Sequence, residues 1–334
     1  MTELSVSYVV TIYNKSNFIP YVVEAIFNQE GVTDGEYIFV DDGSTDDSLD
    51  ALRKYTQGHD NVKIIHQENA GPALATNRGI DEATRPYIKF VDGDDVLHPR
   101  STLELFYAMN KHGVDLAHTH VQQFAFPSDL SAVLERAVPD VESYLIADSL
   151  SYVAEKALFN LTCVLVSTQL AKDVGGCDKR VFIQDYSIIL RLANRTSIAV
   201  VPKILAFCPM VEADDRASAL AGGSQVLHDL NLASGYFMRE TGGIPRALQY
   251  TILRKTTGRA WKWARRRGRK SFFSRQFMNY LLAKIAPQLL DIPGLILASC
   301  MTFRETSSVR LAQRLDGQLP AQDMPRSTLE NQDQ

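Results

Sequence analysis

Two acidic clusters stand out in the first hundred residues. One is Asp41-Asp42-Gly43-Ser44-Thr45-Asp46 and the other is Asp92-Gly93-Asp94-Asp95. Asp92 and Asp94, separated by a single glycine, form a hard-oxygen ligand pair. Such a pair suits Mg2+ or Mn2+, ions that keep several waters and bridge to phosphates. An isolated Asp-x-Asp is commonly a solvated turn, so its meaning depends on what precedes it. In the first cluster, Gly43 permits a tight turn, and Ser44, Thr45 and Asp46 can cap a helix. Neither role requires two adjacent aspartates directly after an apolar run. One of them is therefore available to accept hydrogen bonds from a nucleobase or ribose. His118-Thr119-His120 places two imidazoles on one strand face, where they could bind a metal or serve the fold.

The elements around these clusters give them their weight. Ser5–Tyr13, Tyr37–Val40, Val62–Ile65, Tyr87–Val91 and Val114–His118 are short runs rich in β-branched and aromatic residues and read as strands. Between them, helical spacing of apolar residues predicts helices at 18–26, 49–55, 72–83 and 101–111. Strands alternating with helices mean βαβ units and a mostly parallel sheet. Ligands of such sheets bind beyond the carboxyl ends of the strands. Both acidic clusters directly follow strands, so topology alone predicts that they share one sheet edge. Beyond residue 160, strands are expected at 161–166, 198–201 and 204–207, the last two divided by Pro202. A helix is expected at 186–192.

The composition fits a folded globular chain: 334 residues, 45% hydrophobic and 22% charged. Cys163, Cys177, Cys208 and Cys300 have no close pairing, which argues against a disulfide framework and a thiolate zinc site and makes a reducing compartment the default. The first residues lack the basic-then-apolar pattern of a signal peptide, and no window of ~20 apolar residues is present. The net charge of −4 hides a division. Residues 1–244 hold 19 basic against 33 acidic side chains, a net −14, and residues 245–334 hold 16 against 6, a net +10.

Taken together, Tyr13-Asn14-Lys15, Val40 to Asp46, Asn69-Ala70-Gly71-Pro72-Ala73, Ala75-Thr76-Asn77-Arg78-Gly79 and Asp92 to Asp95 resemble the family 2 glycosyltransferases. These are inverting enzymes of the GT-A fold that use nucleotide-sugar donors, and the resemblance runs from about residue 5 to about 215. It implies an α/β fold of GT-A type, with a mostly parallel central sheet flanked by helices and a C-terminal helical extension. Thr11, Tyr13 and Asp42 correspond to nucleobase-side positions, and Arg78 falls near the stretch that helps hold the donor. Asp92 corresponds to the ribose-side or first metal-side carboxylate. Asp94 corresponds to the direct ligand of the Mn2+ or Mg2+ that meets the donor diphosphate.

The resemblance continues through Gly175-Gly176-Cys177-Asp178 and Ile183-Gln184-Asp185-Tyr186, the acceptor side of the family. There a Glu-Asp pair commonly supplies the catalytic base. This chain has Gln184 in place of the Glu, and Asp185 is assigned as the base; as an alternative, Asp185 caps the helix that follows. Asp95, Gln184 and Arg216 are secondary candidates, Arg216 for phosphate. Two further departures are Thr11, where many relatives have Pro, and Thr76, where one version of the motif has Arg. No Gln-x-x-Arg-Trp motif of the processive synthases occurs.

The implied organisation is a catalytic domain over 1–215, a basic helical extension over 216–317 and a disordered tail over 318–334. The catalytic domain divides into a nucleotide-sugar half at about 1–118 and an acceptor half at about 119–215. From Arg246 to Arg275 there are eleven Lys or Arg and no acidic residue, interleaved with Trp261, Trp263, Phe272 and Phe273. With the apolar residues that continue it to Leu290, this segment suits the interface of an anionic membrane through 246–290, and a helical annex with a solvated basic face is the alternative; a nucleic-acid partner finds no matching signal in the acidic half. The expectation is a non-processive transferase acting from a UDP-sugar onto a glycan or lipid-linked acceptor in cell-surface polysaccharide synthesis, cytoplasmic and peripheral to the membrane. Two rivals remain. A catalytically weak, glycan-binding scaffold is kept open by Gln184. A nucleotidyltransferase would need a Gly-rich loop with Arg and Lys, which Val9–Lys15 lacks.

Overall fold

The structure, a computed structural model, describes residues 3–156, 160–210, 223–268, 271–307 and 309–311. Arg216 and the expected tail at 318–334 lie outside the described residues.

The chain divides into two compact units. The first comprises the described residues within 1–177 and 188–210, and the second comprises residues 178–187 with the described residues from 223 onward. The first unit is built on a nine-stranded sheet. Its strands are β1 (Ser5–Ile12), β2 (Asp34–Asp41), β3 (Val62–His66), β4 (Tyr87–Asp92), β5 (Val96–Leu97), β6 (Leu116–Phe124), β7 (Tyr144–Ile146), β8 (Val164–Ser167) and β9 (Ile198–Pro209). The order across the sheet is β3-β2-β1-β4-β8-β6-β9-β5, with β7 also on β9. Helices α1 (Ile19–Phe27), α2 (Ser48–Tyr55), α3 (Pro72–Glu82), α4 (Ser101–His112), α5 (Leu130–Leu134), α6 (Ser149–Lys156) and α7 (Thr168–Asp173) connect them.

β1 is buried along most of its length, as a central strand covered on both faces must be. Tyr8, Val10 and Ile12 pack in one cluster with Ile19, Val22 and Ile26 of α1 and Leu105, Phe106 and Met109 of α4. Val9 lies against α3 at Gly79, where a β-carbon would sit inside the Val9 side chain. Only glycine lets this helix approach so closely.

The mostly parallel sheet expected from the sequence holds for β1 to β4, which pair in parallel. Beyond β4 the sheet is mixed: β8 runs antiparallel to β4 and β6, and β9 runs parallel to β6 but antiparallel to β5 and β7. The expected break at Pro202 is absent, because β9 runs continuously through it. Its register against β6 shifts between His118 and Val121. There Thr119 Oγ1 donates to the carbonyls of both Val201 and Lys203, and this bulge accommodates a residue that has no N–H to give.

The second unit is helical. α8 (Gln184–Ala193) begins in it, followed by α9 (Ser224–Glu240), α10 (Arg246–Arg266), α11 (Arg275–Ile285), α12 (Ile292–Ser299) and α13 (Met301–Arg304). α9 is buried on nearly every side. Trp261 and Trp263, expected at a membrane interface, are core residues here at 7% and 5% exposure. Trp263 packs on Phe303 and donates to Thr306 Oγ1 at 2.8 Å, while Trp261 meets Phe277 edge-on. α10 is buried on more than one side: Trp261 and Trp263, about 200° apart around the helix, pack against different neighbours, and Lys262 between them falls on the exposed stripe. Among the described residues no helix is long and apolar enough to cross a membrane.

Candidate active site

β1 has β2 on one side and β4 on the other, so the strand order reverses about it and its carboxyl end is a switch-point crevice. Register places Thr11 directly between Val40 of β2 and Asp92 of β4. The carbonyl of Thr11 accepts from Gly93 N at 2.9 Å, and that of Ile12 accepts from Asp42 N at 2.8 Å. A β-carbon on Gly93 would crowd the Thr11 carbonyl. Both acidic clusters thus hang from adjacent residues of one strand.

The loops carrying them are stitched together. Asn14 takes up the left-handed backbone region (φ 53°). Its N–H donates to Ser44 Oγ at 2.9 Å, and its Oδ1 accepts from Thr45 N at 2.8 Å. The next two amides repeat the pattern, Lys15 N donating to Ser48 Oγ and Ser16 N to Asp46 Oδ2. The residues read as a helix cap therefore fix the loop after β1 as well. Tyr13 remains exposed at its tip.

Asp42 is buried and clamps the entry to α3. Oδ1 accepts from Gln67 Nε2 and Ala70 N, and Oδ2 accepts from Gly71 N, all at 2.8–2.9 Å. A carboxylate has about four acceptor positions, so one remains after these three. Its neighbour Asp41 is fully buried and pairs through Oδ2 with His66 Nδ1 at 2.6 Å.

Asp94 is the accessible carboxylate of the second cluster. Its Oδ2 lies 2.5 Å from Lys15 Nζ. Asp95 turns inward at 3% exposure, where Asn160 Nδ2 donates to its Oδ2. Burial first, and then the charge of Asp94, push Asp95 up to about 6. Asp92 is half-buried, and its amide donates to Thr162 Oγ1 at 3.0 Å. Beneath it lies a buried lysine. Lys89 is fully enclosed in β4, its ammonium donates to the Thr162 carbonyl, and burial pushes its pKa down to about 8. Sequence reasoning missed Lys15, Lys89, Asn160 and Thr162. Lys15 was legible as the one cation inside the first strand-end motif, whereas Thr162 and Asn160 reach the site only through the antiparallel β8.

The acidic edge offers what a divalent cation requires. Asp94 presents an oxygen to which a cationic nitrogen already binds, and Asp92 is two residues away on the same turn. Hard oxygen donors of this kind fit Mg2+ or Mn2+. Among the described residues no group of three or more His, Cys, Asp or Glu is gathered to hold a metal, so the remaining ligands would come from water and substrate.

The other sequence-derived candidates are carried by other elements. Arg78 is on the exposed side of α3, where Nη2 pairs with Glu82 Oε1 at 2.8 Å. Its neighbour Asn77 is buried and grips Cys177 twice, Nδ2 donating to its carbonyl and Oδ1 accepting its amide. Asp185, half-buried in the first turn of α8, and the buried Gln184 belong to the second unit. His118 and His120 face one another across 6.3 Å, with His118 buried; burial, then His120 and Lys89, push His118 down to about 3.

Residues 7–141 match the model of glycosyl transferase family 2. Among curated proteins, the chain is 38% identical over 93 residues to the uncharacterized glycosyltransferase YibD of Escherichia coli strain K12. That match covers 28% of this chain and 27% of the relative, so the aligned part spans about a quarter of the relative's length. Among solved structures, residues 1–349 of Staphylococcus aureus TarS in complex with UDP-GlcNAc superpose with a TM-score of 0.60 at 18% identity. The match covers 90% of this chain and 91% of that one. The mannosyltransferase PcManGT of Pyrobaculum calidifontis, in complex with GDP-Man and Mn2+, gives a TM-score of 0.53 at 18% identity, covering 92% and 86%. The fold is GT-A, as the strand-end motifs implied.

Proposed function

We propose, from the match of residues 7–141 to the model of glycosyl transferase family 2, that this chain transfers a sugar from a nucleotide-diphospho-sugar to a hydroxyl of a glycan or lipid-linked acceptor, with inversion. The observation that supports the reading is the position of Thr11 between Val40, which leads into the Asp42 loop, and Asp92, so that both acidic strand ends lie at the carboxyl end of β1. TarS holds UDP-GlcNAc in its solved structure, which supports a UDP-sugar as the donor.

In this reading Thr11, Tyr13 and the free acceptor position of Asp42 receive the nucleoside. Asp94 and Asp92 would hold the cation, which when bound neutralises charge on the leaving diphosphate. Asp185 accepts the proton of the acceptor hydroxyl as that oxygen attacks the anomeric carbon. The bond from that carbon to the diphosphate oxygen breaks in the same displacement, and the nucleoside diphosphate leaves. Asp95, turned inward, supports the acidic turn rather than touching substrate. The test is UDP or GDP release from a panel of UDP- and GDP-sugars, with Mn2+ and with chelator. Release from none of them, with water or a glycan as acceptor, would sink the reading.

The same reading includes peripheral membrane contact through the second unit. With Trp261 and Trp263 in the core, the large apolar residues exposed among the described residues of this unit are Phe272, Phe273, Met278, Ile285 and Leu289, and Arg265, Arg266 and Arg267 are exposed just before the first two. Aromatic and basic side chains so combined favour an anionic lipid surface. Flotation of the full chain with phosphatidylserine vesicles, but not with phosphatidylcholine vesicles, is expected. Phe272→Ser/Phe273→Ser should abolish it.

A further inference from the structure

The second unit contains a chain of buried polar groups that ends on the segment bearing Asp185. Asp229 of α9 is 3% exposed, and its Oδ2 accepts from the backbone N–H of Ile183 at 2.9 Å. Ile183 immediately precedes α8 and lies two residues before Asp185. The same oxygen accepts from Gln225 Nε2 at 3.0 Å. Asp229 Oδ1 lies 2.7 Å from Nδ1 of His228, which is fully buried, and His228 Nε2 lies 3.0 Å from Arg304 Nε of α13. Since Arg304 can only donate, Nε2 must accept. The hydrogen of His228 is thereby assigned to Nδ1, where it points at Asp229.

A buried carboxylate is costly unless donors surround it. Here the donors are a backbone amide, a glutamine amide and an imidazole whose tautomer is set by an arginine. Leucine or methionine would serve helix packing better. What the carboxylate achieves is to fix one backbone atom at the start of α8. Neighbouring groups converge on the same segment. Gln225 also exchanges hydrogen bonds with the backbone of Arg310, whose guanidinium lies over Phe182. Arg180 pairs with Asp178 and Glu240 and stacks on Tyr236, its carbon 3.7 Å from the ring centre.

We propose that Asp229, oriented by His228 and Arg304, is a positioning residue for Asp185. The inference rests on the assignment of Asp185 as the base. The helical unit then serves as the socket in which the proton acceptor is set, and its buried polar chain sets the aim of that group without touching substrate.

The test uses the full chain with Mn2+ and whichever nucleotide sugar of the panel it hydrolyses fastest. Misplacing a reacting group by about 1 Å can cost ~100-fold in rate. Asp229→Ala is therefore expected to lower kcat by roughly 100-fold. Its KM for the donor, and UDP affinity by calorimetry, should stay within about twofold, as expected when only the aim of the base changes. Asp229→Asn keeps an oxygen for the Ile183 amide but turns its NH2 against the His228 Nδ1–H, so it should recover only part of the rate and stay below the parent. Should Asp229→Ala fail to fold, Arg304→Leu, which frees the His228 tautomer, is expected to lower kcat about tenfold with UDP affinity unchanged. Parent-like kcat in folded Asp229→Ala, or in Arg304→Leu when the first does not fold, overturns the proposal, even if the melting temperature falls. Parent-like turnover of Asp185→Asn instead overturns the base assignment beneath it.

Discussion

Lys15 and Asp94 bind one another at the carboxyl edge of the sheet, Nζ to Oδ2 at 2.5 Å, each side chain about one-fifth exposed. The lysine comes from the loop after β1 and the aspartate from the turn after β4, so a single ion pair ties together the two loops on which the donor reading depends. It also places a positive charge where the reading expects a cation to sit.

Asp94→Ala is therefore expected to lower Mn2+-dependent donor hydrolysis on the order of 100-fold or more, while metal-free UDP binding changes little. Lys15→Ala should change stability by no more than about 1 kcal/mol, because the pair is partly solvated. It should also lower the Mn2+ concentration needed for half-maximal hydrolysis. A titration showing no change in that concentration would mean the lysine does not compete for the carboxylate.

Asp42→Ala removes the acceptor for two backbone amides at the entry to α3. Leaving a buried donor unpaired costs about 1–3 kcal/mol, and since the Gly71 amide is buried but the Ala70 amide only partly so, a stability loss of roughly 2–4 kcal/mol is expected in denaturant unfolding. UDP affinity should fall in the same variant. Asp42→Asn, which keeps one carbonyl oxygen, should lie between the two.

Gly79→Ala should destabilise by about 1–3 kcal/mol, since the new methyl would collide with Val9. The collision is local, so Val9→Ala in the same chain should recover part of the loss. Strict additivity of the two substitutions in a double-mutant cycle would refute the contact.

His118 gives a pH prediction. Its ring is held neutral by burial, with a pKa near 3 in the fold against 6.5 when unfolded. Between those values the unfolded chain binds a proton that the folded chain does not. Stability contributed by the neutral ring is thus fully present above about pH 6.5 and falls as pH drops toward 3, by up to ~1.4 kcal/mol per pH unit. His118→Leu should flatten the decline of melting temperature between pH 6.5 and 4.5.

Much of the site was legible because strand ends and turn residues are local signals. The run Val40-Asp41-Asp42-Gly43 announces a buried strand that stops in a polar turn, and so does Val91-Asp92-Gly93-Asp94; two such stops in an alternating pattern must share an edge. What could not be read were groups brought in by non-local pairing. Thr162 supports Asp92 only because β8 runs antiparallel to β4, and no periodicity in residues 161–166 reports direction. Pro202 was misread as a break because a proline's missing N–H usually ends a strand; the bulge opposite Thr119 removes that conflict. Trp261 and Trp263 differ from expectation because interleaving with basic residues looks the same for an interfacial helix and for one packed on two sides. Only the surrounding helices distinguish the two.

The enclosure of α9 bears on how this protein can be shortened. A helix sheathed on nearly every side is an axle, and α10, α12 and α13 are its sleeve. Clipping the basic stretch away would not detach an accessory. It would strip Asn231 of its partners Thr256 and Arg259, and a cut that also removed α13 would take Arg304 from His228 and loosen the very helix that holds Ile183. A protease nick after Gly243 would therefore register as lost turnover.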